Sequence, residues 1–217
     1  MVLINETNTN SAIDGTISGL NIVKIKRICV YCGSSPGKNP AYAHAAKDLA
    51  NAMCERGIGL VYGGAAVGIM GAVADAVLAG GGEAIGIIPE SLAVKEVAHE
   101  NLTELHVVAS MHERKAMMAE LSDGFVALPG GWGTLEEIFE ILTWAQLGFH
   151  EKPCALLNIE AYYDNLVRFM ETAFEQEFVN ELCRPMLIKA DEPGALLDQF
   201  ATYSAPKVRK WMGEDEL

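Results

Sequence analysis

Leu128-Pro-Gly-Gly-Trp-Gly-Thr-Leu-Glu-Glu-Ile138 is the stretch that decides how the rest of the chain is read. The apolar run 125–128 leading into it reads as a short buried strand, stopped by Pro129. Gly130, Gly131 and Gly133 follow, and without Cβ atoms they let backbone N–H groups turn toward one point where a ligand can approach the main chain. Thr134 is a good helix N-cap, and Leu135, Ile138, Phe139, Ile141, Leu142 and Ala145 recur at helical spacing behind it. The free N–H groups and dipole of a helix N-terminus favour an anion, so the stretch predicts a phosphorylated ligand. A second reading needs no ligand: Thr134-x-x-Glu137 matches a capping box, in which Glu137 only closes the helix end.

Working outward, other apolar runs alternate with helical patterns. Strands are predicted over 27–31, 58–62, 83–88, 104–108, 155–157 and 185–189, with helices over 39–56, 69–78, 110–123 and 162–177 and a last short helix near the end. Asn39-Pro40 has the order of a cap followed by proline in the first turn, and Ser110-x-x-Glu113 is another capping box. Continuous apolar strands alternating with helices predict an α/β fold, a parallel sheet covered by helices on both faces, Rossmann-like in organisation. Ligands on such sheets sit at the carboxyl ends of the strands, where the turns at Gly33-Ser34, Gly63-Gly64 and Gly130-Gly131 should gather. Residues 1–24, rich in Asn, Thr, Ser and Gly, read as a mobile tail, and 25–217, without repeat or linker, as one Rossmann-like domain.

Composition narrows the function. A net charge of −13 argues against duplex nucleic acid and against an anionic membrane surface, both of which need clustered Lys and Arg. No apolar run is long enough to cross a bilayer, and no secretory leader is evident. Five cysteines in mostly apolar surroundings suit reduced thiols and a cytoplasmic location. Cys29-Val-Tyr-Cys32 has redox-type spacing but lies in a strand, and no zinc-ligand pattern completes it, so no metal site is expected.

Several motifs compete for the chemistry. No G-x-G-x-x-G dinucleotide fingerprint occurs, and 33–38 is one residue short of a phosphate loop. Gly33-Ser34-Ser35-Pro36-Gly37 fits a nucleophile elbow around Ser35, but Pro36 removes the N–H that would complete an oxyanion hole. Arg114 and Lys115, one turn into a helix that follows a strand, are the best-placed cations for a phosphate or sugar.

Ser110-Met-His-Glu-Arg-Lys115 followed by Pro129-Gly-Gly-Trp-Gly-Thr-Leu-Glu-Glu137 resembles the LOG ("lonely guy") family of cytokinin riboside 5′-monophosphate phosphoribohydrolases. Cys32-Gly-Ser-Ser35, Val61-Tyr-Gly-Gly64 and the run 86–92 are similar to the family too, over roughly 27–198. The resemblance implies cleavage of the N-glycosidic bond of a nucleoside 5′-monophosphate, giving free base and ribose 5-phosphate. It implies Arg114 and Glu137 as the catalytic pair. Gly33, Ser34, Met111, Lys115, Gly130, Gly131, Gly133 and Thr134 would bind the substrate. It also implies a homodimer and no cofactor; the lysine decarboxylase label borne by some members would call for pyridoxal phosphate, for which the sequence has no signature. Two alternatives remain at this stage, a non-catalytic nucleotide-binding module and a serine hydrolase at Ser35.

Overall fold

The computed structural model describes residues 24–93 and 98–207. The predicted tail, apart from Lys24, lies outside the described residues. Every apolar run forms a strand: β1 (Arg27–Tyr31), β2 (Gly59–Tyr62), β3 (Ala84–Pro89), β4 (Glu104–Val108), β5 (Gly124–Ala127), β6 (Cys154–Leu157) and β7 (Leu187–Ala190). Between them come α1 (Ala41–Glu55), α2 (Gly68–Ala79), the short α3 (Glu90–Ala93), α4 (Met111–Glu120), α5 (Trp132–Leu147) and α6 (Asp164–Glu175). Helix α7 (Pro193–Ala201) follows β7.

The strands form one seven-stranded sheet in the order β4-β3-β2-β1-β5-β6-β7, with all six neighbouring pairs parallel. Successive side chains of a strand point to opposite faces, so each run feeds two cores. On one face Ile28, Val30, Leu60 and Tyr62 pack with Leu49 and Met53 of α1, Val73 and Val77 of α2, and Leu196 and Phe200 of α7. On the other, Cys29, Tyr31, Val61 and Phe125 pack with Met118 of α4 and Ile138 and Ile141 of α5. Burial on both sides is why the central strands read as unbroken apolar runs. The edge strand β4 departs from this, with Leu105 and Val107 exposed.

The strand order turns back at β1. The chain steps outward from β1 through β2 and β3 to β4, then returns to lay β5 on the other side of β1. Asp123 fastens this return: its Oδ2 accepts the N–H groups of Lys26 (2.7 Å) and Arg27 (3.1 Å). Parallel strands whose connections leave in opposite directions open a crevice at their carboxyl ends, here above β1 and β5.

Two expected caps form. Asn39 Oδ1 accepts the Ala41 N–H at 3.0 Å, with Pro40 already in helical conformation. Ser110 Oγ accepts the Glu113 N–H at 3.1 Å, while Glu113 Oε2 reaches back to the N–H of Ala109. The last strand starts later than the sequence suggests. Residues Glu181–Met186 wind into a 3-10 turn, opened by Asn180 Oδ1 on the Leu182 N–H, so Pro185 precedes the sheet.

Candidate active site

Leu128, at the end of β5, bonds back to β1 through its N–H on the Tyr31 carbonyl (2.9 Å). One step further on, the Gly33 N–H donates to the Pro129 carbonyl (3.3 Å). These two bonds bring the turn after β1 against the turn after β5. A cavity of about 210 Å³ opens there, lined by Gly33, Ser34, Gly63, Arg114, Gly131, Trp132, Gly133, Thr134 and Glu137, with β1 residues and two methionines beneath.

Helix α5 begins at Trp132 with Gly131 as its N-cap, which corrects the expected cap at Thr134. Thr134 is the third helical residue; it is buried and packs back on Gly130. The first turn bond runs from Leu135 N–H to the Gly131 carbonyl (3.1 Å). No carbonyl among the described residues takes the N–H groups of Trp132, Gly133 or Thr134, the orphan donors of a helix start. Glu137 then falls near the end of the second turn, out of capping range, so the capping-box reading of Thr134 and Glu137 does not hold.

The Glu137 carboxyl is 11% exposed, and its pKa is pushed up to about 7. Burial is the main cause; the nearby Arg114 guanidinium opposes it, and the Glu136 charge adds to it. Arg114 is buried yet weakly served. Its Nη2 lies 3.4 Å from the Gly63 carbonyl and 3.9 Å from Glu137 Oε1, Nη1 reaches only the Met111 sulfur at 3.8 Å, and buried Nε has no partner among the described residues. A buried cation with so few good acceptors is costly until an anion or an oxygen-rich ligand arrives. Gly63 has to be glycine for this arrangement: a Cβ there would sit 2.1 Å from Arg114 Nη2.

The remaining sequence-predicted residues divide. Ser34 is exposed at the rim, and Met111 touches Arg114 rather than lining the cavity. Lys115 faces away from the cavity. Its Nζ bonds Glu136 (2.7 Å) and Glu140 (2.9 Å), tying α4 to α5 and compensating two carboxylates that flank Glu137. Ser35 is exposed; among the described residues its Oγ accepts only the Gly37 N–H (3.4 Å), and no histidine lines the cavity. Cys29 and Cys32 belong to opposite cores, and burial raises both thiols well above their ordinary range, so their spacing serves packing.

Two residues at the glycine turn were not foreseen. Tyr162 donates its hydroxyl to the Gly130 carbonyl (2.5 Å), and the buried Tyr163 donates to the Leu128 carbonyl (2.7 Å). The signal was an aromatic pair just past β6, but its meaning depends on β6 lying beside β5 in the sheet.

A family profile described as "Possible lysine decarboxylase" matches residues 70–200. A protein of Oryza sativa subsp. japonica, named probable cytokinin riboside 5′-monophosphate phosphoribohydrolase LOGL6, is 48% identical over 181 residues, covering 83% of this chain and 72% of that one. A cytokinin riboside 5′-monophosphate phosphoribohydrolase of Arabidopsis thaliana, LOG7, is 48% identical over 180 residues, covering 83% of each. The chain belongs to the LOG family. Solved structures resemble it more distantly. A molybdenum cofactor binding protein from Rippkaea orientalis superimposes with a TM-score of 0.61 at 23% identity, covering 81% of this chain and 94% of that one. The molybdenum cofactor carrier protein of Chlamydomonas reinhardtii gives 0.60 at 19%, over 81% and 96%. At those identities the likeness is one of fold. Among the described residues of this LOG-family chain no lysine lines the cavity, so none of them would anchor a pyridoxal Schiff base there. Among the described residues no group of three or more His, Cys, Asp or Glu could hold a metal ion, and no helix is long and apolar enough to cross a membrane.

Proposed function

We propose that this chain is a phosphoribohydrolase that cleaves the N-glycosidic bond of nucleoside 5′-monophosphates, a cytokinin riboside 5′-monophosphate or AMP. The observation that carries this reading is one constellation: a carboxyl poised near pH 7, an under-served buried guanidinium 3.9 Å away, and an open helix N-terminus on the same cavity. The α5 N-terminus takes the 5′-phosphate, and Arg114 orients the sugar or the carboxylate. As the C1′–N bond breaks, its electron pair leaves with the base and the sugar becomes oxocarbenium-like, a charge that ionised Glu137 stabilises. Water then bonds C1′ and loses a proton to Glu137, and the departing base gains one. A group whose pKa lies near the working pH can exchange protons at little cost.

The test is a panel of nucleoside monophosphates and their nucleosides, with free base followed by chromatography. AMP should be cleaved and adenosine hardly at all, because several charge-assisted hydrogen bonds to phosphate, each of roughly 1.5–3 kcal/mol, are lost together. Comparable kcat/KM for the two would sink the phosphate assignment, and intact AMP would leave a binding module.

We also propose a homodimer or larger assembly in the cytoplasm. Support for assembly comes from α6 and its neighbourhood, where no α6 residue is fully buried and Phe169, Phe178 and Leu182 are exposed. Five unpaired cysteines support the compartment. Light scattering at micromolar concentration should give at least twice the monomer mass.

A further inference from the structure

The segment between β6 and α6 has a backbone that its sequence does not favour. Glu160 (φ 53°) and Ala161 (φ 58°) are both left-handed without being glycine. The turn holds because Asn158 is buried and fully used: its Oδ1 accepts the Tyr163 N–H (2.8 Å), and its Nδ2 donates to Asp164 (3.0 Å) and Asp191 (3.1 Å). The product of this turn is two tyrosines delivered to two carbonyls of the glycine loop. Tyr163 takes Leu128, and Tyr162, packed edge-on against both Tyr42 and Tyr163, takes Gly130.

The two carbonyls differ in what lies across their peptide bonds. A trans peptide is planar, with its C=O and N–H pointing in opposite directions, so holding one fixes the other. The peptide after Leu128 ends in Pro129, which has no N–H to aim. The peptide after Gly130 ends in Gly131, which lines the cavity and whose N–H finds no carbonyl among the described residues. With glycine on both sides, little in the local sterics stops that peptide from flipping. We propose that Tyr162 is a positioning residue for the phosphate site: by holding the Gly130 carbonyl on the far side of the loop, its hydroxyl keeps the Gly131 N–H directed at the ligand.

This inference rests on the proposed phosphate site, and the experiment separates the two. Ribose 5-phosphate and inorganic phosphate are used as competitive inhibitors of AMP cleavage by wild type, Tyr162→Phe and Tyr163→Phe. If ribose 5-phosphate does not compete in wild type, the phosphate-site reading is at fault, whatever Tyr162 does, and the inference falls with it. Given competition in wild type, Tyr162→Phe should raise the inhibition constants and the KM for AMP by about fivefold to tenfold, the scale of one hydrogen bond. Its kcat at saturation should stay within about twofold and its Tm within about 2 °C, since the ring and its packing remain. Tyr163→Phe should do the reverse, lowering Tm while changing the inhibition constants less than Tyr162→Phe does. Unchanged constants in Tyr162→Phe, or equal weakening by both variants, would overturn the assignment.

Discussion

Two glycine-rich turns feed helices at the same edge of the sheet, and they end differently. After β2, Gly63, Gly64 and Gly68 lead into α2, where the N–H groups of Ile69 (3.0 Å) and Met70 (3.3 Å) both donate to the Gly33 carbonyl. That helix start is spent on the protein itself. After β5, Gly130, Gly131 and Gly133 lead into α5, whose first three N–H groups meet no carbonyl among the described residues. A glycine turn before a helix is therefore a possible anion site only while no other stretch of backbone has claimed its amides. The fold makes that choice: β1 lies between β2 and β5, and its turn leans its carbonyl toward α2 and its N–H toward Pro129.

The contrast can be broken most sharply at Glu137, on the open side. Since it is not a cap, replacing it tests chemistry rather than helix closure. Glu137→Gln should lose on the order of a hundredfold or more in kcat, because a neutral amide neither balances an oxocarbenium ion nor takes a proton from water. Near wild-type turnover would remove the α5 side from the mechanism.

Paired alanines come next. Gly68 is left-handed (φ 63°), and a Cβ there would meet the Ser34 carbonyl carbon at 2.3 Å. Gly68→Ala should cost about 3 kcal/mol, near 10 °C in Tm for a chain of this size. Gly131 is not left-handed, and a Cβ would meet nothing within 4 Å among the described residues. Gly131→Ala should keep its Tm within about 2 °C and raise the KM for AMP by roughly tenfold, since the methyl occupies ligand space. If melting curves and KM values failed to split this way, the two turns would not differ in role. Gly63→Ala should fall between them: it displaces Arg114, and kcat/KM should drop by roughly tenfold with a smaller change in Tm.

The smallest effect is a pH dependence confined to the open side. Glu137 has a folded-state pKa of about 7, above its ordinary 4.5. Folding then favours the protonated form, so its contribution to stability is complete below about pH 4.5 and is lost as pH rises through 7. Glu137→Gln has no such loss. Its Tm relative to wild type should be higher at pH 8 than at pH 5, by roughly 5 °C for about 2 kcal/mol of linkage. A constant difference across that range would mean the carboxyl is not held up in the folded protein.

Much of this was legible in the chain. Strands buried on both faces announce themselves as apolar runs, and the glycine turns mark where they end, so the parallel sheet and the edge where those turns gather could be read directly. Arg114, Glu137 and two of the three glycines of the P-G-G-W-G stretch, Gly131 and Gly133, meet at the cavity, while Gly130 packs behind it against Thr134. The errors have a common cause. Thr134 looks like a cap because local composition favours it, yet Gly131 begins the helix and Thr134 is drawn inside against Gly130. Lys115 sits beside Arg114 in sequence, but neighbouring helical positions face different ways, and the carboxylates of α5 claim it. Tyr162 and Tyr163 gain their role only from the strand order, which no local pattern states.

The position of β1 also has a consequence for how the protein is made. It is the first strand of the described chain and the middle strand of the sheet, with Ile28 waiting for Gly124 as its partner. A nascent chain that has emerged only through β4 can assemble four strands, yet one side of β1 stays open as an unpaired edge. β5 ends only about 20 residues after β4, so at ordinary synthesis rates that interval lasts on the order of a few seconds. During it the crevice above β1 and β5 has one wall, and the open edge of β1 offers unpaired N–H and C=O groups to any other strand.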